Sequence, residues 1–212
     1  MTAISEIKAV LFDFGGVLAE EGFKAGLSAI AERNGMDPKE MIRTAFETVY
    51  GLGFVAGKVR ENEFWKALRQ KTGIRGTDEE FREAVLSRFI LRPWMIETVS
   101  CLKKRGIVLG ILSDQCNWLD ELNEKYRFFY FFDHVFNSYH TGLTKKDPAV
   151  FDYVLNRLNL NARQVLFVDD HLDHIVRASI KGFHTLHYTN KDAFFIELHK
   201  FFPTSENFFL GN

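Results

Sequence analysis

The sequence predicts an α/β fold, a doubly wound parallel sheet with a Rossmann-like core, interrupted once by an all-helical insert. Three observations carry this expectation. Short unbroken apolar runs recur along the chain, helical patterns separate them, and one long stretch near the N-terminus is helical throughout. A length of 212 residues suits one large domain or a main domain with a smaller insert.

The predicted strands are "IKAVLF" (7–12), "GIVLGIL" (106–112), "FDHVF" (132–136), "QVLFV" (164–168) and "FHTLHY" (183–188). They are continuous rather than alternating, which marks strands covered on both faces. Between them lie the helical patterns "WMIETVSCLKKR" (94–105), "NWLDELNEKYR" (117–127), "PAVFDYVLNRLN" (148–159) and "DHIVRASIKG" (173–182). Pro148 at a start and Gly182 at a stop follow the usual asymmetry of helix ends. Residues 19–92 hold only amphipathic helix patterns, from "GFKAGLSAIAERNG" to "TDEEFREAVLSRFI", bounded by Gly or by Asp and Thr start signals. The expected division is therefore a core of residues 1–18 and 93–212 with an insert at 19–92.

Composition narrows the function. Hydrophobic residues make up 46% and charged residues 26%, an ordinary globular balance. The net charge of −1, with no Lys/Arg-rich block, argues against nucleic acid or an anionic membrane as partner. Small polyanions remain, because they answer to local groups. Two cysteines, Cys101 and Cys116, expected on helices flanking a buried strand, are too few for a disulfide framework. With no leader-like start in "MTAISEIK" and no run near the ~18 apolar residues of a membrane span, the expected location is the reducing cytoplasm. The 22 phenylalanines cluster in "RFFYFF" (127–132), expected in the core, and "KFFPTSENFFLGN" (200–212), expected as a docked tail or an oligomer contact. The oligomeric state itself is left open.

In doubly wound sheets, ligands bind outside the carboxyl ends of the strands. The first apolar run ends in Asp13, the second in Ser113, Asp114 and Gln115, and the fourth in "DDHLDH" (169–174). Beyond the third lies "TGLTKKDP" with Lys145 and Lys146. Asp13, Asp169 and Asp170 on one edge cannot all stay ionised without a cation, and hard oxygen ligands imply Mg²⁺. Ser113, before a helix with free amides, can hold an anionic oxygen. Lys145 supplies a compact positive charge. A carboxylate, a magnesium ion, a hydroxyl and a lysine around one point make a phosphoryl-transfer site.

These stretches, "LFDFGGVL", "ILSD", "GLTKKDPAVF" and "VLFVDDHLDH", resemble in order and spacing the four motifs of the haloacid-dehalogenase-like hydrolase superfamily. The resemblance covers residues 7–18 and 94–190, and the insert falls where that superfamily carries a helical cap. It implies Asp13 as the nucleophile that forms an aspartyl-phosphate. It implies Ser113 and the Asp114 amide as phosphate ligands, with Gln115 near the substrate, and Lys145 as the charge clamp. Asp170, with Asp13 and the Gly15 carbonyl, would hold Mg²⁺, with Asp169 beside them. The activity implied is a Mg²⁺-dependent phosphatase for a small-molecule phosphate monoester.

The chain departs from the pattern in three places. Where such phosphatases carry an aspartate two residues after the nucleophile, as general acid and base, this chain has Gly15. General acid–base catalysis contributes ~10²–10⁴-fold, so the substitution favours acyl, aryl or anomeric phosphates, unless Glu20, Glu21 or a cap residue takes over. Lys146 replaces a common proline, and the clamp assignment to Lys145 could slip by one. His174 stands where Asp or Asn is usual; with His171 and Asp173 it fits a surface or supporting histidine or a transition-metal site, or Asp173 fills its place. Two rival functions follow: a 2-haloacid dehalogenase, and a weakened binding or regulatory protein retaining the fold. From the cap, Phe54, Arg60, Phe64 and Trp65 could reach towards the substrate, with Arg60 a candidate phosphate or carboxylate contact, although aromatic residues at helical spacing are more often core than pocket.

Overall fold

The computed structural model describes residues 7–203. Five parallel strands are ordered β3-β2-β1-β4-β5. They are β1 (Ala9–Phe12), β2 (Val108–Ser113), β3 (His134–Asn137), β4 (Val165–Asp169) and β5 (His184–His187). Their apolar character follows from burial on both faces. Val10, Phe12, Leu109, Ile111, Leu166 and Val168 enter one core, whereas Ala9, Leu11, Leu112, Val165 and Phe167 enter the other. That two-residue alternation explains why the runs read as continuous.

The order reverses direction at β1, whose neighbours β2 and β4 lie on opposite sides. Phe12 pairs in register with Ile111 and with Val168, so the three strands end level. The Asp13 amide donates to Val168 O at 2.9 Å, carrying the ladder one residue beyond β1. This level edge is where the chemistry-bearing side chains gather.

The layers over the sheet are α5 (Pro93–Lys104), α6 (Trp118–Tyr126), α8 (Ala149–Leu158), α9 (Leu172–Ile180) and α10 (Lys191–Phe201). Strand starts depart from expectation: β1 begins at Ala9 rather than residue 7, and β2 at Val108 rather than residue 106. β3 starts at His134 rather than residue 132, because the preceding phenylalanines form a 3₁₀ turn, Phe128–Phe131. Cys116 lies in the loop after β2 rather than on a helix, and both cysteines are free. Two helices carried no expectation: α10 and the one-turn α7 (Ser138–Thr141). Phe128 and Phe132 are buried as expected, but Tyr130 between them is exposed. The phenylalanine-rich tail from residue 204 onward lies outside the described residues.

Between β1 and α5 the described secondary structure is helical, apart from isolated bridges of Ala19 to Gly15 and Leu91. The helices are α1 (Gly22–Arg33), α2 (Pro38–Gly51), α3 (Glu61–Thr72) and α4 (Asp78–Leu86). Asp37 caps α2, and a Thr77–Glu80 capping box starts α4. α1 and α4 cross closely at Gly26, where a Cβ would meet Val85 Cα at 2.5 Å. The insert docks on the core through aromatic rings around Trp118 of α6. Phe54, Trp65 and Phe23 lie 5.6, 5.8 and 6.0 Å from it, centroid to centroid.

Candidate active site

Asp13 is buried at the end of β1 and is bonded from three sides. The Phe14 amide donates to its Oδ1 at 2.7 Å, and the Ser113 hydroxyl does so at 2.8 Å. Lys145 Nζ lies 2.9 Å from the same oxygen. The lysine is only 1% exposed and also donates to Asp169 Oδ2 at 2.6 Å. The register of the lysine pair is thus fixed by geometry: Lys145 stands at Asp13, and Lys146 lies over the Tyr50 ring.

Oxygens of Asp13, Asp169 and Asp170 lie within 4.8 Å of one another. An all-carboxylate donor set at this separation fits a hard divalent cation such as Mg²⁺. The three are not equivalent. Asp169 is fully buried, and its Oδ1 already accepts the His171 amide at 2.7 Å while its Oδ2 takes Lys145. His174 Nδ1 adds contacts to both oxygens at 3.2 Å. Asp169 therefore anchors Lys145 and His174, whereas the three contacts to Asp13 all fall on Oδ1, so its Oδ2 and the Asp170 carboxylate are the oxygens a cation could take. His174 is a buried partner of Asp169, not a surface residue. Gly16 packs against Asp170: its φ is +87° and a Cβ would lie 2.4 Å from Asp170 Oδ2, so only glycine fits.

Electrostatics follow from burial. Burial pushes the Asp13 carboxyl up to about 7, with Lys145 opposing and Asp169 and Asp170 adding to the rise. Burial acts on Asp169 in the same direction, but Lys145 and His174 overcome it and hold the carboxyl down at about 2. Burial works against the Lys145 charge, yet Asp13, Asp169 and Asp114 keep the ammonium well above its ordinary range. In metal-free protein, folded Asp13 keeps its proton between pH 4 and about 7, where the unfolded chain has lost it. Its contribution to stability is thus lost as pH rises through that window. Mg²⁺ binding must displace this proton, so the Mg²⁺-induced rise in Tm should be largest above pH 7 and shrink with acidification. Thermal melts with Mg²⁺ and with chelator across this range check it; a pH-independent Mg²⁺ effect would contradict it.

Asp114 does not present its carboxylate freely. Oδ1 accepts the Lys145 amide at 2.8 Å and Oδ2 accepts the Tyr50 hydroxyl at 3.0 Å, joining cap to core. Ser138 Oγ makes a second joint, donating to Val55 O at 2.6 Å and to Gln115 O at 3.2 Å. A cavity of about 390 Å³ opens above Asp13 and includes Gly15, Ser113, Asp114, Gln115, Lys145 and Asp170 in its lining. Its cap wall is largely apolar, with Phe23, Ile42, Phe46, Val49 and Val55.

The cap residues that could have reached the substrate do not line this cavity, and the aromatic ones take the core role that their helical spacing favours. Phe54, Phe64 and Trp65 are buried in the docking cluster around Trp118. Arg60 is exposed at the start of α3. Sequence reasoning missed Tyr50 altogether. It left Glu21 undecided against Glu20.

The level strand edge thus brings three carboxylates, a hydroxyl and a lysine together around one cavity. Residues 7–178 match the family model of haloacid dehalogenase-like hydrolases, and the chain belongs to that family. It is similar to rat bifunctional epoxide hydrolase 2, 25% identical over 77% of this chain but only 33% of that protein. The chain thus spans about one third of that relative. A sesquiterpene phosphatase of Aspergillus oryzae is 27% identical over 68% of this chain and 75% of its own length. A D-ribitol-5-phosphate phosphatase of Bacteroides thetaiotaomicron is 24% identical over 87% of this chain and 93% of its own. Among solved structures, a haloacid-dehalogenase family enzyme of the same bacterium, in complex with magnesium and inorganic phosphate, superposes with a TM-score of 0.69. It is 20% identical over 86% of this chain and 94% of its own, a likeness of fold. Among the described residues, no helix is long and apolar enough to cross a membrane.

Proposed function

We propose that the protein is a Mg²⁺-dependent phosphatase that hydrolyses a small-molecule phosphate monoester through an aspartyl-phosphate on Asp13. The observation that carries this reading is the placement of Asp13. It is held by Ser113 and Lys145 and is within 4.8 Å of Asp170, at the floor of a cavity. Ser113, with the Asp114 amide, takes the phosphoryl oxygens once its hydroxyl turns from Asp13. Lys145 offsets their charge, and Gln115 flanks the leaving group. Asp13, Asp170 and the Gly15 carbonyl would hold the metal, with Asp169 beside them. Bound Mg²⁺ would neutralise this cluster and draw charge from the phosphoryl group.

With no side chain at position 15, leaving groups that depart without a full proton are favoured. The apolar cap wall favours a hydrocarbon-rich alcohol portion over a polyol. Two of the relatives are named for phosphatase activity on unlike alcohols, a sesquiterpene and a polyol. In this reading residues 19–92 form the cap unit that sets the substrate, and residues 1–18 and 93–212 the catalytic unit. Free cysteines and an unremarkable charge fit work in the cytoplasm on a small-molecule phosphate.

The test is hydrolysis of aryl, acyl, sugar and prenyl phosphates with Mg²⁺ and with chelator. Turnover that requires the metal and is fastest for apolar or activated esters is expected. Halide release from a 2-haloacid without metal, and no turnover of any phosphate, would replace this reading with the dehalogenase one.

A further inference from the structure

Gly15 has no side chain, but its surroundings are not those of an open turn. A Cβ placed there would meet Phe89 Cε1 at 3.3 Å, Gln115 Nε2 at 3.7 Å and Glu21 Oε1 at 3.8 Å. An aspartate at 15 would carry its oxygens just beyond that Cβ, into a volume the Glu21 carboxylate already borders. Glu21 lines the same cavity as Asp13, Lys145 and Asp170, with 26% of its side chain exposed.

Its position is fixed. Oε1 accepts the Phe23 amide and Oε2 the Lys24 amide, each at 3.2 Å, as the N-cap of α1. Glu20, the other acid in reach by sequence, is committed elsewhere. Its two oxygens pair with Arg92 at 3.0 and 2.9 Å, it is 56% exposed, and it does not line the cavity.

We propose that Glu21 is the general acid and base of this hydrolase, reaching across the space left by Gly15 to the leaving-group oxygen. The proposal rests on the phosphatase reading above. In the first step Asp13 Oδ attacks phosphorus, the bond from phosphorus to the leaving oxygen breaks, and that oxygen takes the Glu21 proton, releasing the alcohol. In the second, the Glu21 carboxylate takes a proton from water as the water oxygen attacks phosphorus. The bond from phosphorus to Asp13 then breaks, leaving inorganic phosphate, a free Asp13 carboxylate and Glu21 protonated again. Burial pushes the Glu21 carboxyl above its ordinary value, with Lys24 and the two amides opposing, which suits a group that must carry a proton. Glu21 narrows the preference for good leaving groups that Gly15 creates; what preference is left measures the help it does not supply.

The experiment compares wild type, Glu21→Gln and Glu20→Gln with Mg²⁺, on para-nitrophenyl phosphate and on hexyl phosphate. Glutamine keeps an oxygen for one of the two α1 amides, and a thermal melt checks that the helix start survives. Glu21→Gln should lower kcat/KM for hexyl phosphate by ~10²–10³-fold and barely change it for the aryl ester. Its kcat on the aryl ester should nonetheless fall, with a burst of nitrophenolate, because the aspartyl-phosphate waits for its base. Glu20→Gln should leave both substrates unchanged. Equal losses on both esters, no loss on either, or a wild type inactive on hexyl phosphate would overturn the assignment and leave the phosphatase reading standing. Wild-type protein inactive on both esters would overturn both.

Discussion

Asp13→Asn is expected to lower phosphate hydrolysis by at least ~10⁴-fold without unfolding the protein. Asparagine keeps an oxygen for the Phe14 amide and the Ser113 hydroxyl, which now hold Asp13 Oδ1. It cannot form the acyl phosphate, and it offers the metal a neutral ligand in place of a charged one. The stability readout separates this from simple damage. Burial penalises ionised Asp13 in the metal-free protein, so removing the charge should leave the metal-free Tm at pH 8 unchanged or raised. The rise in Tm on adding Mg²⁺ should shrink at the same time. Turnover that survives in the variant, measured on an aryl phosphate with Mg²⁺, would move the nucleophile elsewhere.

The second large effect is expected at Lys145. Lys145→Met fills a similar volume but leaves Asp13, Asp169 and Asp170, within 4.8 Å of one another, without their ammonium. Breaking a buried ion pair by deleting one partner costs about 3–5 kcal/mol, which for a chain of this size lowers Tm by roughly 6–20 °C. Mg²⁺ should recover part of that loss, because a second cation reaches the same carboxylates, while hydrolysis stays low. Lys145→Arg should not rescue, since a planar guanidinium does not fit a space shaped for a point charge between two carboxylates. Melting with and without Mg²⁺ tests the claim; an unchanged Tm in the absence of metal would show that the lysine is not the cluster's counter-charge.

Much of this site is legible in the sequence for a simple reason. A parallel sheet buries its strands on both faces, so each strand reads as an apolar run, and the polar residue that ends it marks the carboxyl edge. Asp13, Ser113, Asp169 and Asp170 are visible on that ground, and the helices of the insert on their caps. Boundaries fail where that contrast vanishes. "RFFYFF" runs into β3 with no turn signal, so the 3₁₀ turn and the strand merge and β3 reads as starting two residues early. α7 is shorter than the helical period needs to show itself.

Inside the site, what escapes is whatever depends on the direction of a side chain across the fold. Phe54, Phe64 and Trp65 sit on apolar helix faces that fit a pocket or a docking surface equally well in sequence, and the structure gives them to Trp118. Glu20 and Glu21 are adjacent and chemically identical. One turns to Arg92 and the other to the cavity, a choice made by the start of α1. The Tyr50–Asp114 bond spans 64 residues and leaves no local pattern at all.

That bond couples the insert to the core. Asp114 grips the Tyr50 hydroxyl with one oxygen and the Lys145 main chain with the other. Any movement of Tyr50 away from the sheet edge would break this bond and free half of the acid that holds the Lys145 main chain. The insert and the lysine loop thus share one carboxylate, so a substitution at Tyr50 should be felt at Lys145.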